Sequence, residues 1–292
     1  MTSVFHPGEL AAQARAGVRG EAERVGRIIR ASVPPAAASF LAHQRMLVIG
    51  GADDRGLMWS SLLTGAPGFL RAGVVGGKDV VDIAAHPLVA DPLAAAVSHR
   101  TRLGAIAIEP ATRRRMRVNG VSEPTEGGLR ITADQVYANC PRFIRRRGIE
   151  SVHPDTPSPT TRVSSSLDSA DHALIGRADT FFIATVSATG DCDASHRGGE
   201  PGFLRTTGAG TVSWPDYPGN AMMMTLGNLE QNSAAGLLFL DWSRGSTLQL
   251  TGTARVDWDG PNREIHFHPV RVLRTTGASP LTWSDREADG SG

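Results

Sequence analysis

A pentapeptide repeated at long spacing is the feature that most limits how this chain can fold. Pro-Gly-Phe-Leu-Arg occurs at residues 67–71 and again at residues 201–205. In the stretches that lead into it, 56–67 and 190–201, a glycine, a serine, a second glycine and a proline recur at the same offsets without a gap. Chance seldom keeps four such anchors in register, so the sequence predicts a duplicated domain.

Further matches extend the duplication in both directions. Residues 46–49 align with 180–183, and after a shift of two residues 103–109 align with 235–241 and 115–120 with 247–252. Each copy therefore has about the usual size of a domain. The period is far too long for the repeat of a solenoid.

Short runs of valine, isoleucine and leucine, separated by glycine, proline and aspartate, indicate strands and turns in both copies. The predicted strands lie near 46–50, 57–63, 80–84, 103–108 and 116–121 in the first copy and near 181–187, 211–214, 236–241, 247–258 and 264–273 in the second. One short helix interrupts each set, opened by Asp91 and Pro92 in the first copy and placed near 225–232 in the second. Because strands do not alternate with long helices, we predict a mainly β fold with one small β-barrel per copy.

The sequence also predicts the structure of the segments outside the barrels. Residues from Pro7 to about Arg30 carry apolar side chains at helical spacing, which predicts one amphipathic helix packed on the first domain. Residues 151–169 are rich in proline, serine and threonine and predict an interdomain linker. The expected domains are therefore 1–150, with the helix and the first barrel, and 170–292, with the second barrel.

Composition excludes several classes of protein. The chain has 292 residues, of which 30 are basic and 29 acidic, so its formal charge of +1 provides no global attraction for nucleic acid or an anionic membrane. No stretch has the length of a membrane span, and no basic leader with an apolar run begins the chain, so we expect a cytoplasmic protein with no membrane partner. Two cysteines, Cys140 and Cys192, are too few for a disulfide framework or a cysteine-built metal site.

Three segments resemble common phosphate, dinucleotide or metal motifs, but each lacks a residue that the motif needs. Gly76-Gly-Lys78 is followed by Asp79 where a phosphate-binding loop needs serine or threonine. Gly208-Ala-Gly210 lacks the third glycine of a dinucleotide fingerprint and leads into a predicted strand. His266 and His268 share a strand face but have no evident third ligand, so we predict no metal site.

Unusual polar residues cluster in three stretches of the second copy, 195–205, 214–220 and 225–228, which we expect on loops. Arg197 and Arg205 offer forked donors suited to a phosphate, and Ser195, Thr225 and nearby glycine amides can complete its shell. Trp214 and Tyr217 are suited to flank a flat ring. The alternative is that the glycines only form turns, the aromatic rings only fill the barrel and the arginines are only solvated. The residues alone favour that alternative.

These stretches resemble the pyridoxamine 5'-phosphate oxidase-like flavin-binding proteins, which are split-barrel flavoproteins, in a branch with tandem copies. The segments that carry the resemblance are 195–203, 215–220, 226–229 and 236–239 in the second copy and 6–9, 91–93, 114–120 and 136–144 in the first. The resemblance implies two split barrels of the FMN-binding type arranged as an intramolecular pseudo-dimer. Further dimerisation of the chain stays open.

The resemblance also implies FMN as the cofactor and places Ser195 and Arg197 near its phosphate or ribityl chain. Thr225 stands where simpler oxidases have a basic phosphate ligand. Gln249 stands where they have an arginine, and Arg117 occupies the matching place in the first copy. The implied cofactor-site residues are Ser195, His196, Arg197, Arg205, Trp214, Pro215, Asp216, Tyr217, Asn220, Thr225, Leu226, Asn228, Gln249, Arg117 and Asn139.

The copies have diverged at the site. Where the second has His196 and Arg197, the first has Leu62 and Leu63. We therefore predict one FMN site per chain, with most polar contacts from the second copy and with Arg117 and the stretch 137–141 added by the first. The alternative for the first-copy residues is a solvated turn and strand and a helix terminus.

Three functions are compatible with this pattern. The first is an FMN-dependent oxidoreductase that transfers electrons or hydride to or from a small molecule, which would serve as substrate or electron donor. The second is a non-catalytic flavin- or haem-binding carrier or sensor, and the third is a purely structural tandem barrel. Nucleophilic catalysis by Cys192 is not expected, because Asp191 and Asp193 should raise its pKa.

Overall fold

Two antiparallel sheets follow the two copies in a computed structural model that describes residues 3–138, 142–153, 158–207, 210–260 and 262–285. The strands are β1 (Met46–Ala52), β2 (Met58–Thr64), β3 (Leu70–Val75), β4 (Lys78–Ile83), β5 (Thr101–Glu109), β6 (Arg114–Thr125), β7 (Gly128–Ala138), β8 (Ile149–Val152), β9 (Thr160–Ser164), β10 (Thr180–Val186), β11 (Cys192–Gly198), β12 (Arg205–Thr206), β13 (Val212–Pro215), β14 (Ala234–Asp241), β15 (Ser246–Asp259), β16 (Asn262–Thr276) and β17 (Leu281–Trp283). The helices are α1 (Pro7–Arg15), α2 (Arg19–Gly26), α3 (Pro35–Ala42), α4 (Leu93–Ala96), α5 (Ser169–Arg177) and α6 (Met224–Gln231).

The strand order of the two sheets is the same. The first sheet runs β2-β1-β5-β6-β7-β4-β3 and the second β11-β10-β14-β15-β16-β13-β12, so every strand of one copy has a counterpart at the same place in the other. Helix α4 in the first copy and α6 in the second interrupt the chain at corresponding points. The predicted mainly β class, with one split barrel per copy, is confirmed.

Each barrel has its own apolar core. Ile49, Trp59 and Leu70 are fully buried in the first, and Phe181 and Phe239 in the second. A third cluster of buried side chains combines both copies, with Val48 and Ile106 from the first barrel and Phe182 and Leu238 from the second, so apolar burial also joins the barrels to each other.

Two equivalent glycines let the barrels approach closely. A Cβ atom on Gly104 of β5 would lie 2.5 Å from the Cα of Asp193, and one on Gly236 of β14 would lie 2.6 Å from the Cα of Trp59. Gly104 and Gly236 correspond in the sequence alignment, as do Asp193 and Trp59. The two barrels therefore pack as an intramolecular pseudo-dimer with approximate two-fold symmetry.

The N-terminal segment departs from the sequence prediction. The single helix expected from Pro7 to about Arg30 is wrong, because the chain turns at Gly17, whose φ of +68° suits glycine, and continues as α2. Helix α1 also packs on α6 of the second barrel rather than on the first domain. Gly227 permits that contact, since a Cβ there would lie 2.5 Å from the Cα of Glu9.

The segment expected as a linker, 151–169, contains regular structure. Strand β9 pairs with β16 of the second sheet, and β8, which ends inside this segment, pairs with β17. Both strands lie outside the main path of the sheets, where proline-rich sequence is tolerated. None of the helices in the described part of the chain has the length and apolar character needed to cross a bilayer.

Candidate functional site

A cleft with a cavity of about 110 Å³ opens between the two barrels. Its walls are β11, β13 and the first turn of α6 from the second copy, β6 from the first copy, and residues 142–143, which follow the first barrel. The predicted site residues that line it are Ser195, His196, Arg197, Trp214, Pro215, Asp216, Tyr217, Asn220, Thr225, Leu226 and Arg117. The structure thus brings together residues that are far apart in sequence.

Ser195, His196 and Arg197 lie on strand β11 and not on a loop, which corrects the expectation from sequence. Alternate side chains of a strand share a face, so Asp193, Ser195 and Arg197 form one polar row. The polar sequence concealed the strand because β11 is covered by protein, pairing with β10 and packing against β5 of the other barrel. Several of its polar groups have partners from both copies, such as Asp193, which accepts from Arg117 and Asn119 of the first copy and from Ser195 of the second.

An ion pair across the barrels forms the inner wall of the cleft. Arg117 Nη2 donates to Asp193 Oδ2 at 2.7 Å, and the two side chains are only 4% and 5% exposed. Arg117 Nε donates to the Ala194 carbonyl at 2.7 Å and Nη1 to the Tyr137 hydroxyl at 2.9 Å. Burial alone would lower the pKa of Arg117, but the charge of Asp193 raises it above its ordinary value. Because Asp193 neutralises its charge, Arg117 connects the two barrels and is not a free ligand for an anion.

Arg197 has weaker compensation. It is 23% exposed and donates through Nη1 to the His196 carbonyl at 3.2 Å. The Asp216 carboxylate is 4.0 Å away and is bound more closely by Arg263, at 2.9 Å. Burial lowers the pKa of Arg197 despite the opposing effect of Asp216. A partly desolvated guanidinium with a shared counter-charge has a net attraction for an anion.

His196 is a neutral donor at the cleft. Arg115 Nη1 lies 3.0 Å from its Nδ1, and because a guanidinium can only donate, Nδ1 must accept and the ring proton must be on Nε2. Burial, followed by the charges of Arg115 and Arg197, lowers the pKa of His196 well below its usual range. Among the described residues, His196 Nε2 and the Trp214 indole nitrogen are buried without a hydrogen-bond partner. Both residues line the cleft, so each of them has a buried donor that no described group satisfies.

Helix α6 adds backbone donors. It starts at Met224 after Met223, which has a φ of +59° and makes no side-chain cap. Thr225 and Leu226 of the first turn line the cleft. The Thr225 hydroxyl donates to the Ser195 hydroxyl at 3.2 Å, which fixes the helix against β11. An uncapped helix N-terminus presents free amides and a positive dipole end, and both favour an anion.

Two aromatic rings form the rim. Phe143 and Tyr217 stack with centroids 5.0 Å apart and planes at 20°, and each residue is 38% exposed. Gly198 is required beneath them, since a Cβ there would overlap the Phe143 carbonyl. Phe143 itself has a φ of +64°, which is uncommon for a bulky residue. The first copy therefore covers part of the second copy's site.

Several lining residues were not singled out from sequence. Arg142, Phe143 and Met222 lie in the cleft. Arg115 lies there too, although the sequence left open whether its arginine run joins the site or is a solvated turn and strand. The spacing of the arginine run was an available signal, because alternate residues of β6 face alike and Arg115 and Arg117 are two apart. Only the packing of the barrels places that face at the site.

Other predicted residues lie elsewhere. Arg205 is exposed on β12 and pairs with Glu264 at 2.5 Å. Asn228 faces a different cavity, where its Oδ1 accepts from His6 Nε2 at 2.9 Å and its Nδ2 donates to the Thr185 hydroxyl at 2.9 Å. Asn139 lies outside the residues that the structure describes. The corresponding sequence assignments of Arg205 and Asn228 to the cofactor site are not supported by their positions in the fold.

Gln249 occupies the pseudo-symmetric counterpart of the Arg117 position. Its Nε2 donates to the Ser60 carbonyl at 3.1 Å, just as Arg117 Nε donates to Ala194, the residue that aligns with Ser60. Gln249 also donates to the Ser61 hydroxyl and to Asp91, each at 3.0 Å. Gln249 lies outside the cleft, which corrects its sequence-based assignment to the cofactor site.

The counterpart of the cleft is closed. The cavity beside Gln249 is only about 10 Å³ and is lined by Leu62, which replaces His196. The carboxyl group of Asp91 fills part of this space and accepts from Ser61 and from the backbone of Leu93. One of the two pseudo-equivalent positions is therefore open and the other is filled by side chains.

Cysteine and metal chemistry find no support at the site. Burial, and after it the charges of Asp191 and Asp193, raises the pKa of Cys192 to about 12, so the thiol stays protonated at neutral pH. Within the described ranges, no group of three or more histidine, cysteine, aspartate or glutamate side chains is arranged to hold a metal ion.

The family model described as pyridoxamine 5'-phosphate oxidase matches residues 167–272. The sequence of the second half therefore resembles the pyridoxamine 5'-phosphate oxidase family. The match covers α6 and all of the second copy's cleft residues, whereas the cleft residues of β6 and residues 142–143 lie outside it. Membership of a tandem branch of the family stays a prediction. No curated protein matches the chain significantly.

Several solved structures are similar to about a third of this chain. HupZ from Group A Streptococcus is 18% identical with a TM-score of 0.29, over 35% of this chain and 90% of its own. HutZ from Vibrio cholerae, described as a heme storage protein, is 12% identical with a TM-score of 0.30, over 37% and 93%. A Clostridium acetobutylicum protein related to general stress protein 26, of the pyridoxinephosphate oxidase family, is 14% identical with a TM-score of 0.26, over 34% and 81%.

Proposed function

We propose that this chain binds one FMN in the open cleft and uses it as an oxidoreductase that exchanges electrons with a small molecule. The observation that carries the proposal is the partly compensated Arg197 beside the uncapped start of α6. A guanidinium fork and a helix N-terminus together form a phosphate site. The hydroxyls of Ser195 and Thr225 line the same cleft, and each would have to turn from its present acceptor, Asp193 for Ser195 and Ser195 for Thr225, to donate to a phosphate.

The remaining donors fit the polar edges of a flavin ring. The buried Nε2–H of His196 and the indole N–H of Trp214 require acceptors, and an isoalloxazine ring has carbonyl oxygens and ring nitrogens. Met222 and the rim rings of Phe143 and Tyr217 supply apolar cover that limits the access of water. FMN, when bound, would supply the electron-transfer chemistry, and the protein would orient it.

The position of His196 favours flavin over haem. A histidine that binds haem iron through Nε2 must carry its proton on Nδ1. Here Arg115 donates to Nδ1, which leaves the proton on Nε2, so Nε2 has no lone pair for a metal. Haem ligation by His196 would require Arg115 to move away. The haem-binding carrier is therefore the weaker alternative.

One cofactor per chain follows from the contrast between the two positions. The open cleft has a cavity of about 110 Å³, and its pseudo-equivalent has about 10 Å³ and contains Leu62 and Asp91. A second FMN would need both a phosphate ligand in place of Leu63 and removal of the Asp91 carboxyl group. A small-molecule substrate or electron donor is the expected partner, and a cytoplasmic location stays a prediction.

Spectroscopy of the purified chain tests the proposal. We expect flavin absorption bands, or their appearance on titration with FMN, with saturation at one FMN per chain. Reduction by NADPH or NADH would support an oxidoreductase, whereas reduction only by photoexcited deazaflavin would indicate a carrier. If the chain takes up no FMN, or takes up haem in its place, the proposal is wrong.

A further inference from the structure

A second and larger cavity, of about 520 Å³, adjoins the Arg117–Asp193 pair and is not used by the proposed function. We call it the chamber. Its inner part is lined by His6 and Glu9 at the start of α1, Asn119 of β6, Asp193 of β11 and Asn228 of α6. Arg102, Asp134 and Asp191 lie at its exposed side, and Met224 lines both the chamber and the cleft.

Asn119 provides an acceptor with no partner. The residue is 7% exposed, and its Nδ2 donates to Gln135 Oε1 and to Asp193 Oδ1, each at 3.2 Å. These two bonds fix the orientation of the amide, since both partners can only accept there. Its Oδ1 is buried without a hydrogen-bond partner among the described residues. A buried acceptor of this kind favours a ligand that donates.

Glu9 provides a second acceptor, in surroundings that disfavour its negative charge. Its side chain is nearly fully buried, and Oε2 accepts from the His6 amide at 2.8 Å in the capping box of α1. Burial raises its pKa to about 8, and the negative charge of Asp193 contributes to the rise. The carboxyl group is thus largely protonated at neutral pH and would ionise if a positive charge came beside it.

The charges around the chamber do not balance. Arg102 pairs with Asp134 and Asp191, and Arg117 pairs with Asp193, so three carboxylates face two guanidinium groups even with Glu9 protonated. Burial lowers the pKa of His6, which therefore adds little positive charge. Cys192 and Tyr137 have raised pKa values and stay neutral. The chamber has a deficit of positive charge, and no described cluster in it suits a metal ion.

We propose that the chamber binds the protonated amino group of a small organic amine, which donates to Asn119 Oδ1 and to the carboxyl groups of Glu9 and Asp193. An ammonium group has three donors and one positive charge, which match the unpartnered acceptor and the missing charge. Ionisation of Glu9 on binding would release a proton to the solvent. The site is distinct from the FMN cleft and does not depend on it.

Calorimetric titration with propylamine tests the proposal, with propanol and propionate as neutral and anionic probes of similar size. Titrations at pH 7 in two buffers of different ionisation enthalpy measure the proton released. We expect saturable binding of propylamine alone, with proton release. Equal binding of propanol or propionate, or no saturable binding of propylamine, would overturn the proposal.

Two variants and one control sharpen the test. Glu9→Gln keeps an oxygen for the His6 amide, and we expect it to weaken propylamine binding about tenfold and to abolish proton release. Asn119→Leu removes the unpartnered acceptor and should weaken binding to a similar extent. Glu123→Gln, which changes an exposed carboxylate of the same strand β6, should bind as the parent does. Unchanged affinity in both chamber variants would contradict the proposal, and FMN affinity measured on the same samples reports separately on the cleft.

Discussion

Arg117 of the first barrel and Asp193 of the second form a buried ion pair, with 2.7 Å between Nη2 and Oδ2. The pair lies where the cleft and the chamber meet, and each partner also bonds to groups of the other copy. Because the barrels meet at this pair, it links the packing of the pseudo-dimer to the shape of both cavities. Loss of either charge leaves the other buried without compensation.

We therefore expect Arg117→Met to lower the free energy of unfolding by about 3 to 5 kcal/mol. The measurement is urea unfolding followed by circular dichroism. Arg100→Met is the matched control, since Arg100 pairs with Glu123 at the surface and should contribute less than about 1 kcal/mol. Equal losses in the two variants would show that the buried pair does not hold the barrels together.

Arg197→Ala should weaken FMN binding by about 1.5 to 3 kcal/mol, because a charge-assisted contact to phosphate is lost. Fluorescence titration with FMN measures the affinity. Arg205→Ala removes an arginine of the same segment that pairs with Glu264 outside the cleft, so its effect should be small. A larger loss in Arg205→Ala than in Arg197→Ala would place the phosphate elsewhere.

Gly198→Ala should destabilise the protein by about 1 to 3 kcal/mol, since the added methyl group overlaps the Phe143 carbonyl and forces the rim away from β11. Thermal unfolding monitored by circular dichroism provides the measurement. Gly176→Ala in α5 is the control, because a Cβ there meets nothing and alanine favours a helix. If Gly198→Ala is as stable as the parent, the Phe143 segment does not cover β11 as described.

Glu9 should make stability depend on pH in an unusual direction. Its pKa is raised to about 8 in the folded chain from 4.5, so between these values the folded state binds more protons than the unfolded state. The contribution of Glu9 is then fully present below about pH 4.5 and is lost as the pH rises through about 8, at up to about 1.4 kcal/mol per pH unit.

Urea unfolding at pH 5 and pH 8 measures this effect. Glu9→Gln cannot ionise, so the fall in stability between the two pH values should be smaller in the variant than in the parent chain. Glu123→Gln, at an exposed position, should retain the parent's pH dependence. The same slope in parent and Glu9→Gln would mean that the pKa of Glu9 is not raised by burial.

Much of the architecture is predictable from sequence. Aligned residues reveal the duplication, and short residue patterns predict the strands of each copy. Residues that align, such as Gly104 with Gly236 and Arg117 with Gln249, occupy equivalent places in the two barrels. The predicted strands of both copies were recovered wherever valine, isoleucine and leucine dominated. Strands β3, β7 and β11 were not predicted. Strand β11 is polar in sequence because it pairs with β10 and packs against β5 of the other barrel, so it has no need of an apolar alternation.

What the amino-acid sequence determined by itself is the repeated β architecture, the family pattern of residues 167–272 and the residue types needed for an anion and a flat ring. The tertiary structure alone decided which of them act together. It put Arg117 in an ion pair with Asp193, turned Arg205 outward, filled the Gln249 position and left the Arg197 position open. The physical reason is that burial and charge compensation depend on contacts between the two barrels, which are distant in sequence and set only when both copies have folded and packed.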